Sequence, residues 1–319
     1  MKASRAGAFA LLGAASALLI LVGTTPVGAA DTTTADTPTQ SNQLPSLIDS
    51  PLPANLVPTL SGAKTDRPKP YQDRCHTQQN LEKSLATCEY GNLKSKTSIV
   101  LFGDSHALSW FPAIERLAIA KKWKLISLTM SSCWPADIPA WNSTTNQLMP
   151  NCPIWRNETL DDIAQIKPYL TFVAGTRGFT TIDQNNTVLV GIDRTTAWEA
   201  GMVRTLDKLK SASKLLVYLG DTPVSLVDVP TCLAAHRLHI AQCATPYAKS
   251  VSTSWISEEQ KVAMMEKAIW VDPTSWICTT DPCSPLVGRY QIFVDKGHLT
   301  ASFAATLERP LWAQVTASN

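Results

Sequence analysis

The sequence predicts an α/β fold: a three-layer, doubly wound parallel sheet forming a single domain with disulfide-bridged loops. Three observations point there. Short apolar runs alternate with stretches of helical spacing, the pattern of a parallel sheet covered on both faces. Hydrophobic residues make up 45% of the 319-residue chain and charged residues 17%, enough for one sizeable core. The eight cysteines fall as close neighbours along the chain, so that each pair can close a short loop.

The elements follow in order. Lys2 and Arg5 precede an uncharged apolar stretch from Ala6 to Val22, and small residues follow at Val27-Gly28-Ala29-Ala30. This is the three-part pattern of a secretory signal over residues 1–30, with an uncleaved anchor as the alternative. Residues 31–70 are rich in Pro and Thr, with Pro38, Pro45, Pro51, Pro53, Pro58, Pro68 and Pro70. They read as a disordered tether, because such a segment buries too little apolar surface to offset its ordering entropy. The folded domain is expected over residues 71–319.

Within it, strands are expected at Ser98–Phe102, Lys124–Thr129, Tyr169–Ala174, Lys214–Leu219 and Tyr290–Val294. Helices are expected at Ala107–Lys122, Asn157–Gln165, Ala197–Ser211 and Glu258–Ile269, with a last one starting near Leu299.

Charge and cysteine usage narrow the function classes. The formal charge is +2, and Lys2 and Arg5 lie in the segment expected to be removed. No long basic run occurs, which argues against a nucleic-acid partner. Sequential pairing is expected for Cys75 with Cys88, Cys133 with Cys152, Cys232 with Cys243, and Cys278 with Cys283. Such bridges place the chain in an oxidising compartment, secreted or held in the extracytoplasmic cell envelope of a bacterium. No CxxC spacing is present, so neither a metal nor another cofactor is expected.

Two short motifs carry chemistry. Gly103-Asp104-Ser105-His106 follows the first apolar strand and precedes a helix. This geometry lifts a hydroxyl to the carboxyl edge of the sheet and leaves backbone N–H groups free to face a developing oxyanion. Taken alone, Asp104 and Ser105 could equally be helix caps. Ala107 stands where the G-x-S-x-G elbow of α/β hydrolases has its second glycine, which argues against that fold. Asp295-Lys296-Gly297-His298-Leu299-Thr300 follows the expected last strand. There an Asp can hold Nδ1 of a His three residues later while Nε2 faces a serine. The bland alternative is a surface turn with a chance His. The two motifs together, ending different strands of one sheet, favour Ser105, His298 and Asp295 as a catalytic triad.

These motifs resemble blocks one and five of the SGNH (GDSL-like) hydrolases, and the wider pattern is similar to the SGNH domain fused to acyltransferase-3 membrane domains in bacterial envelope O-acyltransferases. Supporting stretches are Ser131-Ser-Cys-Trp-Pro-Ala-Asp137, Cys152-Pro-Ile-Trp-Arg156, Leu219-Gly-Asp-Thr-Pro223, Pro230-Thr-Cys-Leu-Ala234 and Cys278 to Cys283, within residues 75 to 315. The resemblance implies a flavodoxin-like sheet order and serine esterase or acyltransferase chemistry. The family's block-two Gly and block-three Asn donate to the oxyanion; here Ser131-Ser132 and Gly175-Thr176-Arg177-Gly178 stand in their places. The oxyanion hole is therefore expected from the N–H groups of Ser105 and Ser132, with Arg177 as a side-chain donor.

Asp104, His106, Trp110 and Trp134, and with them Trp155, are expected to line the cleft. His236 and His239 read as solvent-facing, His76 has no evident partner, and Arg156 could pair with a carboxylate or touch an acceptor.

Three functions compete. The first is O-acyl transfer, most simply O-acetyl transfer, to a cell-envelope glycan or glycolipid. It would pass through an acyl-Ser105 intermediate, with a separate membrane acyltransferase-3 partner as donor, because no multi-span domain is evident. The second is a secreted esterase removing such groups, with water replacing the acceptor in the same second step. The third is a catalytically silent cell-wall binding module, against which the intact Ser, His and Asp weigh.

Overall fold

A computed structural model describes residues 44–83, 88–143 and 145–318. The expected signal and the first part of the tether lie outside these residues.

The centre is a seven-stranded sheet. Its strands are β1 (His76–Thr77), β2 (Glu89–Gly91), β3 (Ser98–Gly103), β4 (Lys124–Met130), β5 (Leu170–Ala174), β6 (Leu215–Leu219) and β7 (Ile269–Val271). The order is β1-β4-β3-β5-β6-β7, parallel throughout, while β2 runs antiparallel beside β4. Ile99, Val100, Leu101 and Phe102 of β3 are fully buried, as a central parallel strand covered on both faces requires.

Helices α1 (Ser105–Ser109) and α2 (Phe111–Lys121) follow β3. Next come α3 (Asn151–Ile166), α4 (Gly191–Ala212), α5 (Thr253–Met265) and the C-terminal α6 (Glu308–Ala317). One buried cluster packs α1 and α2 with the C-terminal segments on one face of the sheet. A second packs α3, α4 and α5 on the other. The fold is the expected three-layer α/β/α arrangement. All four cysteine pairs form disulfides in the expected sequential order.

Four expectations are corrected. The run Tyr290–Val294 does not join the main sheet. Tyr290 and Gln291 pair antiparallel with Leu286 and Val287, and Ile292, Phe293 and Val294 then enter the core without a ladder. Their apolar side chains serve the core, and alternation alone cannot distinguish this from a strand. The sheet instead ends with β7, at residues where the expected helix Glu258–Ile269 was still running; that helix stops at Met265. The expected helix Ala107–Lys122 is interrupted at Trp110, two residues before Pro112, which has no N–H to continue the ladder.

The fourth correction concerns the tether. From residue 44 onward the segment is laid onto the domain rather than left free. Leu52 N–H donates to Arg237 O and Val57 N–H to Arg289 O. Leu52, Leu56 and Leu60 pack against the core, and Ala63 is fully buried. These apolar residues, spaced among the prolines, supply the burial that the Pro-rich composition hides. Among the described residues no helix is long and apolar enough to cross a membrane.

Candidate active site

Gly103 ends β3 with φ +144°, and a Cβ there would stand 1.9 Å from Ala174 O, so only glycine fits. The chain then turns into α1, whose N-terminus is capped by Asp104. Asp104 is fully buried, and one oxygen accepts from His106 N–H at 2.8 Å and Ala107 N–H at 3.3 Å. The other accepts from Thr176 N–H at 2.8 Å, which ties the loop after β5 to the loop after β3. Asp104 therefore braces two loops, which corrects the expectation that it lines the cleft. Burial pushes its carboxyl up from the ordinary value.

Ser105 Oγ lies 2.8 Å from His298 Nε2, and His298 Nδ1 lies 2.8 Å from Asp295 Oδ2. The other oxygen of Asp295 accepts from the N–H groups of Gly297 and His298, both at 2.9 Å. Val294 N–H donates to His298 O at 2.9 Å, closing the loop on itself. Burial would raise the Asp295 carboxyl, but the His298 hydrogen bond and charge with the two N–H donors hold it well below the usual carboxylate range. Arg67 Nη2 adds a further contact at 3.5 Å. Arg67 comes from the segment that reads as tether in sequence, and Asp66 anchors it by accepting from Ala301 and Ser302 N–H.

The expected oxyanion donors are placed unequally. Among the described residues the N–H groups of Ser105 and Ser132 have no acceptor, while the neighbours Ser131 and Cys133 donate to Thr77 O and Met130 O. These two free donors sit just beyond the carboxyl ends of the adjacent strands β3 and β4. Ser132 has φ +55°, the left-handed conformation that glycine adopts without strain. Arg177 is different. Its guanidinium grips Glu259 through Nε at 3.0 Å and Nη2 at 2.7 Å, so its side chain is committed away from an oxyanion. Glu259 is 1% exposed, and a buried carboxylate requires such a partner. Burial outweighs the arginine and pushes Glu259 up to about 7.

His106 Nδ1 lies 2.6 Å from Asp221 Oδ1, and its ring centre is 4.9 Å from that of His298. Asp221 also accepts from Thr222 N–H and Arg177 N–H, each at 2.8 Å. Burial would lower the His106 imidazole, but the charge and hydrogen bond of Asp221 push it up to about 9. A second His–carboxylate pair, an imidazolium held by an ionised carboxylate, thus stands beside the first.

A cavity of about 660 Å³ opens here, lined by His106, Asp221, Lys249, Trp255, Lys296 and His298 among others. Of the expected cleft residues only His106 reaches it. Trp110 is 1% exposed and packs edge-on against Trp276, and Trp155 stacks on Phe102 in the core. Trp134 is buried against Phe179 in a small adjoining void. Trp255, unremarked in the sequence, forms the apolar wall instead.

The remaining candidates resolve simply. His76 is buried, with Nδ1 3.0 Å from Thr129 Oγ1, and burial pushes it down to about 4. Arg156 is buried against Asp137, at 3.2 Å. His239 pairs with Asp49 at the surface.

Chemically, the constellation can move a proton from a serine hydroxyl to an imidazole that is oriented and charge-compensated by a carboxylate, beside two free N–H donors.

Comparison with known proteins bears on the family and the fold. The family described as SGNH domain (fused to AT3 domains) matches residues 74–313. The periplasmic domain of a lipopolysaccharide acetyltransferase from Salmonella ser. Paratyphi A superposes with a TM-score of 0.59 at 15% identity, covering 82% of this chain and 98% of that one. An acetylxylan esterase from Geobacillus stearothermophilus gives a TM-score of 0.39 at 11% identity, over 70% and 96%. No curated protein matches the chain.

Proposed function

The chain belongs to the SGNH domain family found fused to AT3 domains and is an SGNH-type enzyme; on that premise we propose that it transfers an O-acyl group, most simply acetyl, to an extracytoplasmic cell-envelope glycan or glycolipid. The acyl group is carried on Ser105. The observation that supports this reading is the unbroken chain Ser105 Oγ, His298 Nε2, His298 Nδ1, Asp295 Oδ2, with 2.8 Å at each hydrogen bond, at the carboxyl end of a parallel sheet.

Ser105 Oγ attacks the acyl carbonyl carbon while its proton passes to His298 Nε2. Asp295 stabilises the imidazolium so formed. The carbonyl oxygen, now negative, is held by the N–H groups of Ser105 and Ser132, each such donor lowering the barrier by about 3 kcal/mol. His298 returns the proton to the departing oxygen, and the acyl-serine ester remains. An acceptor hydroxyl then attacks the ester, losing its proton to His298, and Ser105 is regenerated. The four disulfides suit an oxidising compartment outside the cytoplasm. The donor is proposed to be a separate membrane acyltransferase of the AT3 type.

Hydrolysis is the second reading, and the open cavity beside His298 favours it to the extent that water enters where the acceptor would. Turnover of 4-nitrophenyl acetate by the native protein, set against Ser105→Ala and His298→Ala, tests the shared first step. Activity confined to the native protein is expected. Equal activity in either variant overturns the reading.

A further inference from the structure

The charges around the cavity are not balanced within the protein, and the imbalance has one sign. Its carboxylates are engaged. Asp221 accepts from His106, Arg177 N–H and Thr222 N–H, and Asp295 from His298, two backbone N–H groups and Arg67. Its lysines are not. Lys249 comes from the short helix Tyr247–Ser250 and Lys296 from the His298 loop, and both are exposed and line the cavity. Among the described residues neither has a carboxylate within ion-pair distance, although Lys64, Lys69, Lys124, Lys210 and Lys261 do. His106 adds a third donor. Its Nδ1 is spent on Asp221, its Nε2 makes no hydrogen bond among the described residues, and the ring lines the cavity. With Arg177 balanced by Glu259 and His106 by Asp221, the cations the lining leaves without a partner are Lys249 and Lys296, and His106 contributes a free N–H.

We propose that this cavity is the acceptor subsite and that it takes a sugar bearing an anionic group, a phosphate or a carboxylate, close to the hydroxyl that exchanges the acyl group. The assignment rests on the reading of Ser105 as acyl carrier and names the substrate class for that site. Lys249, from a short helix, and Lys296, from the His298 loop, bracket the anion as point charges. His106 Nε2 donates from the buried end, with its imidazolium held in place by Asp221. Trp255 provides the apolar wall that a sugar ring packs against. A neutral glycan would leave two lysines and a buried donor unused beside the reacting hydroxyl.

The test is binding to the full chain carrying Ser105→Ala, which cannot turn over, followed by NMR titration. The probes are methyl glucoside, methyl glucuronoside and glucose 6-phosphate. The anionic sugar that fits is expected to bind about tenfold more tightly than methyl glucoside, a difference of about 1.4 kcal/mol. That advantage should fall as salt is raised and shrink to about threefold or less when Lys249→Gln and Lys296→Gln are combined. Whichever anionic probe binds more tightly identifies the group. Equal affinity for all three probes overturns the proposal. So does an anionic advantage that survives the double lysine substitution, or failure of both anionic sugars to bind. Because binding needs no catalysis, a faulty triad shows separately, as loss of the 4-nitrophenyl acetate activity expected of the native protein.

Discussion

Asp295→Asn isolates the role of the carboxylate, because the structure says which contacts survive. The asparagine oxygen can replace Oδ1 and keep both bonds from Gly297 and His298 N–H, at 2.9 Å in the native protein. The loop therefore keeps its shape. The amide NH2 must then occupy the place of Oδ2, 2.8 Å from His298 Nδ1. Two donors cannot face each other, so Nδ1 gives up its proton and the imidazole carries it on Nε2 instead. Nε2–H now points at Ser105 Oγ and cannot accept its proton. A wrong tautomer of this kind lowers turnover by about 10⁴-fold, or about 5 kcal/mol at about 1.4 kcal/mol per decade. The contact of Arg67 with Asp295 is half-exposed and long, so its loss changes stability by less than about 1 kcal/mol. The assay is kcat/KM for 4-nitrophenyl acetate at neutral pH, with urea denaturation run in parallel. A folded Asp295→Asn protein within tenfold of native activity would refute the tautomer argument and the triad with it.

Four further outcomes are expected. Arg177→Met leaves Glu259 buried without its cation and should cost about 3–5 kcal/mol in urea denaturation, whereas the added substitution Glu259→Gln should recover part of it. His106 is raised from 6.5 to about 9, so its pairing stabilises the fold fully below pH 6.5 and is lost as pH rises through 9. The stability gap between the native protein and His106→Gln, about 3 kcal/mol at most, should therefore close across that window, and a gap independent of pH would contradict it. Ser132→Gly keeps the N–H and suits the left-handed φ, so activity should stay within about threefold of native while stability moves by no more than about 1 kcal/mol. Replacing Cys133 and Cys152 together by serine opens the loop that begins at Ser132 and should lower stability by about 3 kcal/mol, read from the shift of the urea midpoint.

The sequence made some features legible and hid others for physical reasons. Strands β3, β5 and β6 announced themselves because a parallel strand buried on both faces is a near-continuous apolar run, while β4 showed as a mixed run of alternating burial. The Ser105 and His298 loops were legible because each is a local structure, written in four to six consecutive residues at a strand or core edge. The disulfides followed from short loop closure. What stayed hidden depends on residues far apart. Arg177 meets Glu259 across 82 positions and His106 meets Asp221 across 115, and no local pattern predicts such partners. Asp221 did leave a trace, since it lies in the stretch Leu219-Gly-Asp-Thr-Pro223 that resembles the family. Trp110 and Trp134 sat near the site in sequence yet went to the core, because an apolar ring after a strand end fills the nearest packing space. Arg67 was masked by the Pro-rich composition around it, although Leu52, Leu56 and Leu60 could have shown that the segment packs.

The central claim is that Ser105 carries the acyl group. Its most direct test is to expose the native protein to a phosphonofluoridate or a slow acyl ester, digest it, and map the modified peptide by mass spectrometry. A single adduct on Ser105, absent from His298→Ala under the same exposure, is the predicted result. An adduct on another residue, or none on Ser105 while ester turnover proceeds, would contradict the account.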